Sequence, residues 1–131
     1  MNLTSLETSV MHMLLAGDDE VLAVLRRQLG NISVTSRKMT GAGFYAEFLH
    51  PPDVERITDL PSFKFGDVDG RASNLKHGAG FLLYVTQGVL SMLEGYTYDE
   101  PWPDEVKGLV LHYRAGQNRS LDELIKILHG R

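Results

Sequence analysis

Apolar residues recur at helical spacing only near the two ends of the chain; between them they alternate or run together as strands do. Leu6, Val10, Met13 and Leu14 fall on one face of a helix that opens with Thr4-Ser5-Leu6-Glu7. That quartet is a capping box, in which threonine and glutamate satisfy each other's free backbone donors. Gly17 provides a left-handed stop. Asp18 or Asp19 can cap a second helix carrying Val21, Leu22, Leu25 and Leu29, with Gly30 at its end. Residues 1–30 thus predict a helical hairpin.

From Ile32 the period drops to two. Ile32, Val34 and Ser36 alternate with Ser33, Thr35 and Arg37, and Phe44, Ala46 and Phe48 alternate with Tyr45, Glu47 and Leu49. Thr40-Gly41-Ala42-Gly43 turns one run into the other, and Pro51-Pro52 ends the pair because neither ring can donate to a ladder. Asp53 to Ser62 has no period and predicts an exposed, mobile loop. Phe63 to Ser73 reads as a strand region with a bulge signal at Gly66, and Lys107 to Arg114 as a last strand with Leu109, Leu111 and Tyr113 on one side.

The strongest signal lies between them. Gly80 to Thr86 and Val89 to Tyr98 flank Gln87-Gly88, a two-residue loop whose glycine accepts positive φ. Uninterrupted pairing from that loop sets Val85 against Leu90, Leu83 against Met92 and Phe81 against Glu94. Val85, Leu83, Phe81, Leu90, Met92, Glu94 and Tyr96 would then share the core face, with Glu94 buried or half-buried there on a Tyr or His hydrogen bond. After a polar linker from Ala115 to Arg119, Ser120-Leu121-Asp122-Glu123 predicts a second capping box and a short helix with Leu121, Leu124, Ile125 and Leu128 on one face. The pattern implies an α+β fold in a single domain, 1–131. Its parts are the helical hairpin, a meandering antiparallel sheet of about five or six strands over 31–114, and a linker with a C-terminal helix over 115–131.

Composition narrows the function classes. The chain has 131 residues, 43% hydrophobic and 23% charged, which suits one self-sufficient core. No cysteine is present, so disulfides, thiolate metal sites and cysteine catalysis are excluded, and a reducing cytoplasm is the expected location. The first residues lack a signal peptide's basic start and apolar run, and no ~18-residue apolar stretch suggests a membrane span. A net charge of −4 argues against nucleic acid, including a helix-turn-helix reading of the first two helices in which Arg26 and Arg27 would touch DNA. A basic protein partner suits that charge better.

Catalytic motifs are missing: there is no phosphate-binding loop, dinucleotide fingerprint, nucleophile elbow or His-Glu-x-x-His pair, and no cofactor is implied. Two constellations carry candidate chemistry. Asp67 and Asp69 at i and i+2, joined by His77 and Glu94, would make an acid/base or cation pocket if the fold brought them together; otherwise the two aspartates face water and pair with Lys64 or Arg71. Tyr96, Tyr98, Asp99, Glu100, Trp102, Asp104 and Glu105 couple aromatic anchors to a carboxylate rim, a combination suited to a basic partner. Trp102, between two prolines, can equally pin its loop to the core.

Two resemblances rest on these stretches. GAGFLLYVTQGVLSMLEGYTYDEPWP, with TGAGFYAEF and FGDVDG upstream, resembles a small uncharacterised bacterial protein family with an N-terminal helical pair and a sheet. The strand, glycine turn and Leu-Glu-Gly-Tyr-Thr-Tyr strand ending at Pro-Trp-Pro is similar in style to immunity proteins of bacterial polymorphic toxin systems. Neither implies catalytic residues. The expectation is a non-catalytic protein-binding module, an immunity or antitoxin-like inhibitor of a basic toxin or enzyme. The alternative is a small enzyme or ligand-binding domain using Glu94, Asp67, Asp69 and His77.

Overall fold

Thr4 caps the first helix as the sequence predicts: its Oγ1 accepts from Glu7 N at 3.1 Å, and Glu7 Oε1 accepts from Thr4 N at 2.9 Å. The computed structural model describes residues 1–130. Helix α1 spans Ser5–Leu14 and α2 spans Glu20–Leu29; Asp19 caps α2, its Oδ1 accepting from Val21 N and Leu22 N at 2.8 and 3.1 Å. Between them Gly17 takes φ +136°, a value that L side chains rarely adopt. The faces they bury, Val10, Met11 and Leu14 on α1 and Val21, Leu22 and Leu25 on α2, form the helical half of the core.

The strands are β1 (Ser33–Met39), β2 (Gly43–Leu49), β3 (Phe63–Phe65), β4 (Val68–Arg71), β5 (Ala79–Thr86), β6 (Val89–Thr97) and β7 (Val110–Tyr113). They make one antiparallel sheet in the order β1-β2-β6-β5-β4-β7, with β3 also paired to β5. An α+β arrangement therefore holds, but the sheet is not a simple meander. After Leu49 the chain leaves the sheet at Pro51-Pro52, and β2 takes β6 as its second neighbour. The predicted strand over 63–73 is split at Gly66-Asp67, so that β3 and β4 share one side of β5.

Gln87 and Gly88 both take positive φ, +51° and +83°, as a tight hairpin turn requires, and Thr86 pairs with Val89 and Val85 with Leu90. Uninterrupted pairing then fails. Tyr84 pairs with Met92 rather than Ser91, because a β-bulge places Ser91 and Met92 together on the outer side. The Ser91 hydroxyl donates to Tyr84 O at 3.0 Å and lies 2.8 Å from Thr86 Oγ1. Every pair beyond shifts by one, giving Leu83 with Leu93, Leu82 with Glu94 and Phe81 with Gly95. The helix-facing side is consequently Phe81, Leu83, Val85, Leu90 and Leu93, all essentially inaccessible to solvent, while Met92, Glu94 and Tyr96 face outward and are half-buried. Glu94 does take a tyrosine hydrogen bond, but on the outer face and not among the core residues.

Leu90 lies beyond the last β2–β6 pair, Glu47 with Met92, so its outward backbone groups have no ladder partner. Gln28, 1% exposed, takes that place: its Oε1 accepts from Leu90 N at 2.9 Å and its Nε2 donates to Gly88 O and Glu55 O at 2.9 and 2.8 Å. His50 Nε2 donates to Leu90 O. These bonds also tie down the segment expected to be an exposed loop. Ile57 N donates to Gly88 O at 3.1 Å, and Ile57 and Leu60 pack against the core.

Helix α3 (Asp122–Leu128) forms where predicted and buries Leu124 and Leu128, but its capping box does not form. Leu121 is the N-cap, in helical conformation and without a side-chain cap bond, and Ile125 is 38% exposed. Two side chains anchor this terminal segment instead. Arg119, with 6% of its side chain exposed, pairs with Asp67 and donates to Ala16 O, and His129 Nε2 lies 2.6 Å from Asp19 Oδ2. The three helices thus cover one face of the sheet.

Leu93→Ala should lower unfolding free energy by ~2–5 kcal/mol, and Met92→Ala by less than about 1, in urea denaturation. Equal losses would contradict the bulged register. Gln28→Ala, which leaves backbone groups of the hairpin turn and the 53–62 segment without partners, should cost on the order of 3 kcal/mol; a loss below about 0.5 would show that water replaces the amide.

Candidate functional site

The alternation of each strand sorts the candidate residues onto the two faces of the sheet, and the bulge decides the sorting for β6. On the outer face Tyr84 Oη donates to Glu94 Oε1 at 2.8 Å, and Lys64 Nζ lies 5.6 Å from the centre of the Tyr84 ring. Burial, reinforced by the hydrogen bond to Glu94 and its charge, pushes the Tyr84 phenol up to about 12. Tyr45, paired opposite Glu94, is raised chiefly by that same carboxylate.

Further along this face Tyr98 Oη donates to Asp69 Oδ1 at 3.1 Å, and the Arg114 guanidinium holds both Asp69 oxygens at 2.8 and 3.1 Å. Burial alone would raise the Asp69 carboxyl, but the hydrogen bonds and charge of Arg114, helped by Tyr98, leave it below the ordinary carboxylate range. Tyr96 and Tyr98 pack edge to face at 5.5 Å over Gly80, where a Cβ would come within 2.6 Å of both side chains. Glycine is therefore needed at that position to seat the aromatic pair.

Asp67 lies on the other side. The bulge signal at Gly66 and the break after β3 turn its carboxylate toward the helices, where Arg119 Nε and Nη2 bond it at 2.8 and 2.9 Å and the guanidinium stacks on Phe65 and Tyr113. Asp67 and Asp69 thus do not share a face, and their cations are Arg119 and Arg114 rather than Lys64 or Arg71. His77 is exposed, and its backbone N–H donates to Glu100 Oε2 at 2.6 Å. The structure therefore brings Asp67, Asp69, His77 and Glu94 into no common cavity. Among the described residues no group of three or more His, Asp or Glu side chains is arranged to hold a metal ion.

The aromatic and acidic stretch divides in the same way. Glu100 is engaged locally, accepting from Lys76 N and His77 N at 2.9 and 2.6 Å, and these bonds hold its carboxyl below the ordinary range. Asp99 is exposed at a positive-φ bend that turns the chain away from the sheet. Trp102 then folds back onto the helix side: its N–H donates to Gly41 O at 2.7 Å, and its ring meets Phe44 edge-on at 5.2 Å. Half-buried Trp102 forms one wall of a cavity of about 370 Å³ closed by Phe44, Met39 and Leu6, with exposed Asp104 and Glu105 on its rim.

The floor of this cavity holds a pair that spacing alone did not reveal. Arg37 Nε and Nη2 bond the two oxygens of Glu7 at 2.8 and 2.7 Å, and the Glu7 side chain is 2% exposed. Glu7 accepts from Thr4 N as well, so the buried charge has both a cation and a backbone donor. A signal was present: Glu7, Val10, Met11 and Leu14 follow helical spacing, which places a carboxylate on the buried stripe of α1.

Comparison with protein-family models, with curated proteins and with solved structures finds no match for this chain. The reading of the site therefore rests on its own residues.

Asp69 gives a pH test. A carboxyl depressed in the folded state stabilises the fold above its unfolded value of about 3.8 and loses that contribution as pH falls through the folded value. Asp69→Asn should lower the urea midpoint near pH 6, with the gap to wild type closing toward about pH 3. A gap that is constant with pH would remove the Arg114 ion pair as its cause.

Proposed function

We propose that this chain is a non-catalytic protein-binding module whose Trp102 cavity, with its acidic rim, takes a basic partner, as an immunity or antitoxin-like inhibitor of a toxin or enzyme would. The observation that carries the reading is the position of Trp102. Its ring is held by Phe44 and by the backbone bond to Gly41, yet remains half-exposed beside two carboxylates that have no ion-pair partner among the described residues. A tryptophan fixed before binding loses little freedom on contact, and carboxylates around it speed the approach of a cation-bearing surface. The cavity has the dimensions of a pocket for one or two side chains, with apolar walls for an aliphatic stem and a rim for its charge.

The alternative acid/base role for Asp67, Asp69, His77 and Glu94 gains no support from geometry. Two of the four are held by arginines, and Glu94 is engaged by a tyrosine on the outer face. No helix among the described residues is long and apolar enough to cross a membrane.

Because Trp102 is the only tryptophan, its fluorescence reports on the cavity directly. Titration with a peptide of alternating lysine and leucine should give a saturable change, absent with the matching glutamate peptide and weaker at 0.5 M salt than at about 0.05 M. Asp104→Asn with Glu105→Gln should weaken the lysine peptide about tenfold. Identical responses to the two peptides, or no effect of neutralising the rim, would refute recognition of a basic partner at this cavity.

A further inference from the structure

The sheet ends at β1, and the Trp102 cavity opens beside that edge. Alternation from Thr40, whose N–H donates to Gly43 O at 2.9 Å, turns the backbone groups of Lys38 toward β2 and those of Arg37 and Met39 away from it. No described residue bonds the N–H or C=O of Arg37 or Met39. We propose that these groups take an extended segment of the partner as an additional antiparallel strand, which sets a basic side chain of that segment in the Trp102 cavity. Strand addition of this kind rests on the reading of that cavity as a site for a basic protein.

Upstream of the bulge at Thr35 the edge is already covered. The Met1 amine donates to Val34 O at 3.0 Å, and Met1 O accepts from Val34 N at 2.8 Å. At the opposite edge the chain returns after β7, where Gly116 N donates to Tyr113 O at 3.0 Å. The stretch from Ser36 to Met39 has neither cover. An unpaired edge is a template for another strand, which native chains usually blunt with bulges, charges or short length. Here the bulge lies upstream at Thr35, and Met39, 63% exposed, places a flexible apolar side chain at the far end of the open stretch.

Register and charge identify the segment. Antiparallel addition continues the sense of every pair in the sheet and runs in line with Met1. Residues directly opposite one another in such a pair share a face. Arg37 and Met39 stand opposite Ala46 and Phe44 on the helix side, so residues paired with them from outside point to that side as well, one of them beside Met39 at the cavity mouth. A strand spacing of ~4.8 Å brings its stem against the wall that Met39 and Trp102 form. Its charge then meets Asp104 and Glu105, which have no ion-pair partner among the described residues, whereas Glu7 is already held by Arg37. A segment that alternates basic and apolar residues satisfies both demands, because all its basic residues fall on one face. Backbone bonds supply the affinity of strand addition, and the pocket supplies the choice of side chain.

Backbone methylation of the alternating lysine and leucine peptide tests the proposal. In this register the lysine N–H groups point to β1 and the leucine N–H groups to solvent. A peptide methylated at every lysine α-nitrogen should bind at least about tenfold more weakly, by Trp102 fluorescence, than one methylated at every leucine nitrogen, which should match the unmodified peptide. On the protein, the Arg37 and Met39 amides should exchange more slowly with peptide bound, while the Lys38 amide, already in the ladder, should not change. Met39→Pro, which removes an outward donor at an edge where proline is tolerated, should weaken the peptide about tenfold, and Met39→Ala less. If far-UV circular dichroism shows Met39→Pro unfolded, the two methylated peptides decide. Failure of every peptide to bind would remove both strand addition and the basic-partner reading. Binding of the unmodified peptide with equal losses for the two methylated forms, or with Arg37 and Met39 amides unprotected, would overturn strand addition alone. Protection of those amides that grows with protein concentration in the absence of peptide would give the edge to a second copy of the chain, and would overturn the proposal as well.

Discussion

Leu90 is held from the side facing away from β5: its N–H reaches the buried amide of Gln28, and its carbonyl accepts from His50. Both bonds occur where the pairing of β2 with β6 has stopped, after Glu47 and Met92, so a helix side chain and a post-strand histidine stand in for a missing ladder partner. That substitution lets the hairpin project beyond its neighbour without leaving backbone groups unpaired in a dry environment. The bulge at Ser91 follows immediately and sets the register of the rest of β6. Which residues meet the helices, and which form the tyrosine-lined outer face, depends on that one extra residue.

Local chemistry made much of the fold legible. The Thr4 capping box, the aspartate cap of α2, the Gln87-Gly88 turn and the switch from helical to alternating periods all express interactions between residues a few positions apart. The bulge was not legible because Leu90-Ser91-Met92-Leu93 offers two apolar residues in succession, and either can continue the buried row after Leu90. Only packing distinguishes them. Leu93 lies between Leu83 and Ala46 under the helices, and the flexible thioether of Met92 tolerates the half-exposed outer position. The second capping-box pattern, at Ser120, failed for a related reason: the terminal segment is anchored by Arg119 and His129, and those contacts rather than the cap decide its approach to the core.

The candidate site was legible as composition and not as geometry. Aromatic and acidic residues crowd between Tyr96 and Glu105, but the chain turns at Asp99, so the tyrosines go to the outer face and Trp102 to the helix side. The arginines that neutralise Asp67, Asp69 and Glu7 come from 52, 45 and 30 residues away. No periodicity announces such pairings. They matter to the functional reading because they remove three carboxylates from the pool available to a ligand and leave Asp104 and Glu105 beside the tryptophan.

The register of β5 against β6 is the claim on which the two faces, and therefore the site, depend. Interstrand NMR contacts measure it directly, since directly opposed residues in an antiparallel pair bring their backbone protons close. The account predicts contacts linking Leu82 to Glu94 and Phe81 to Gly95, with Ser91 and Met92 both opposite Tyr84. Contacts linking Leu82 to Leu93 and Phe81 to Glu94 would contradict it, placing Glu94 among the core residues and Leu93 on the open face.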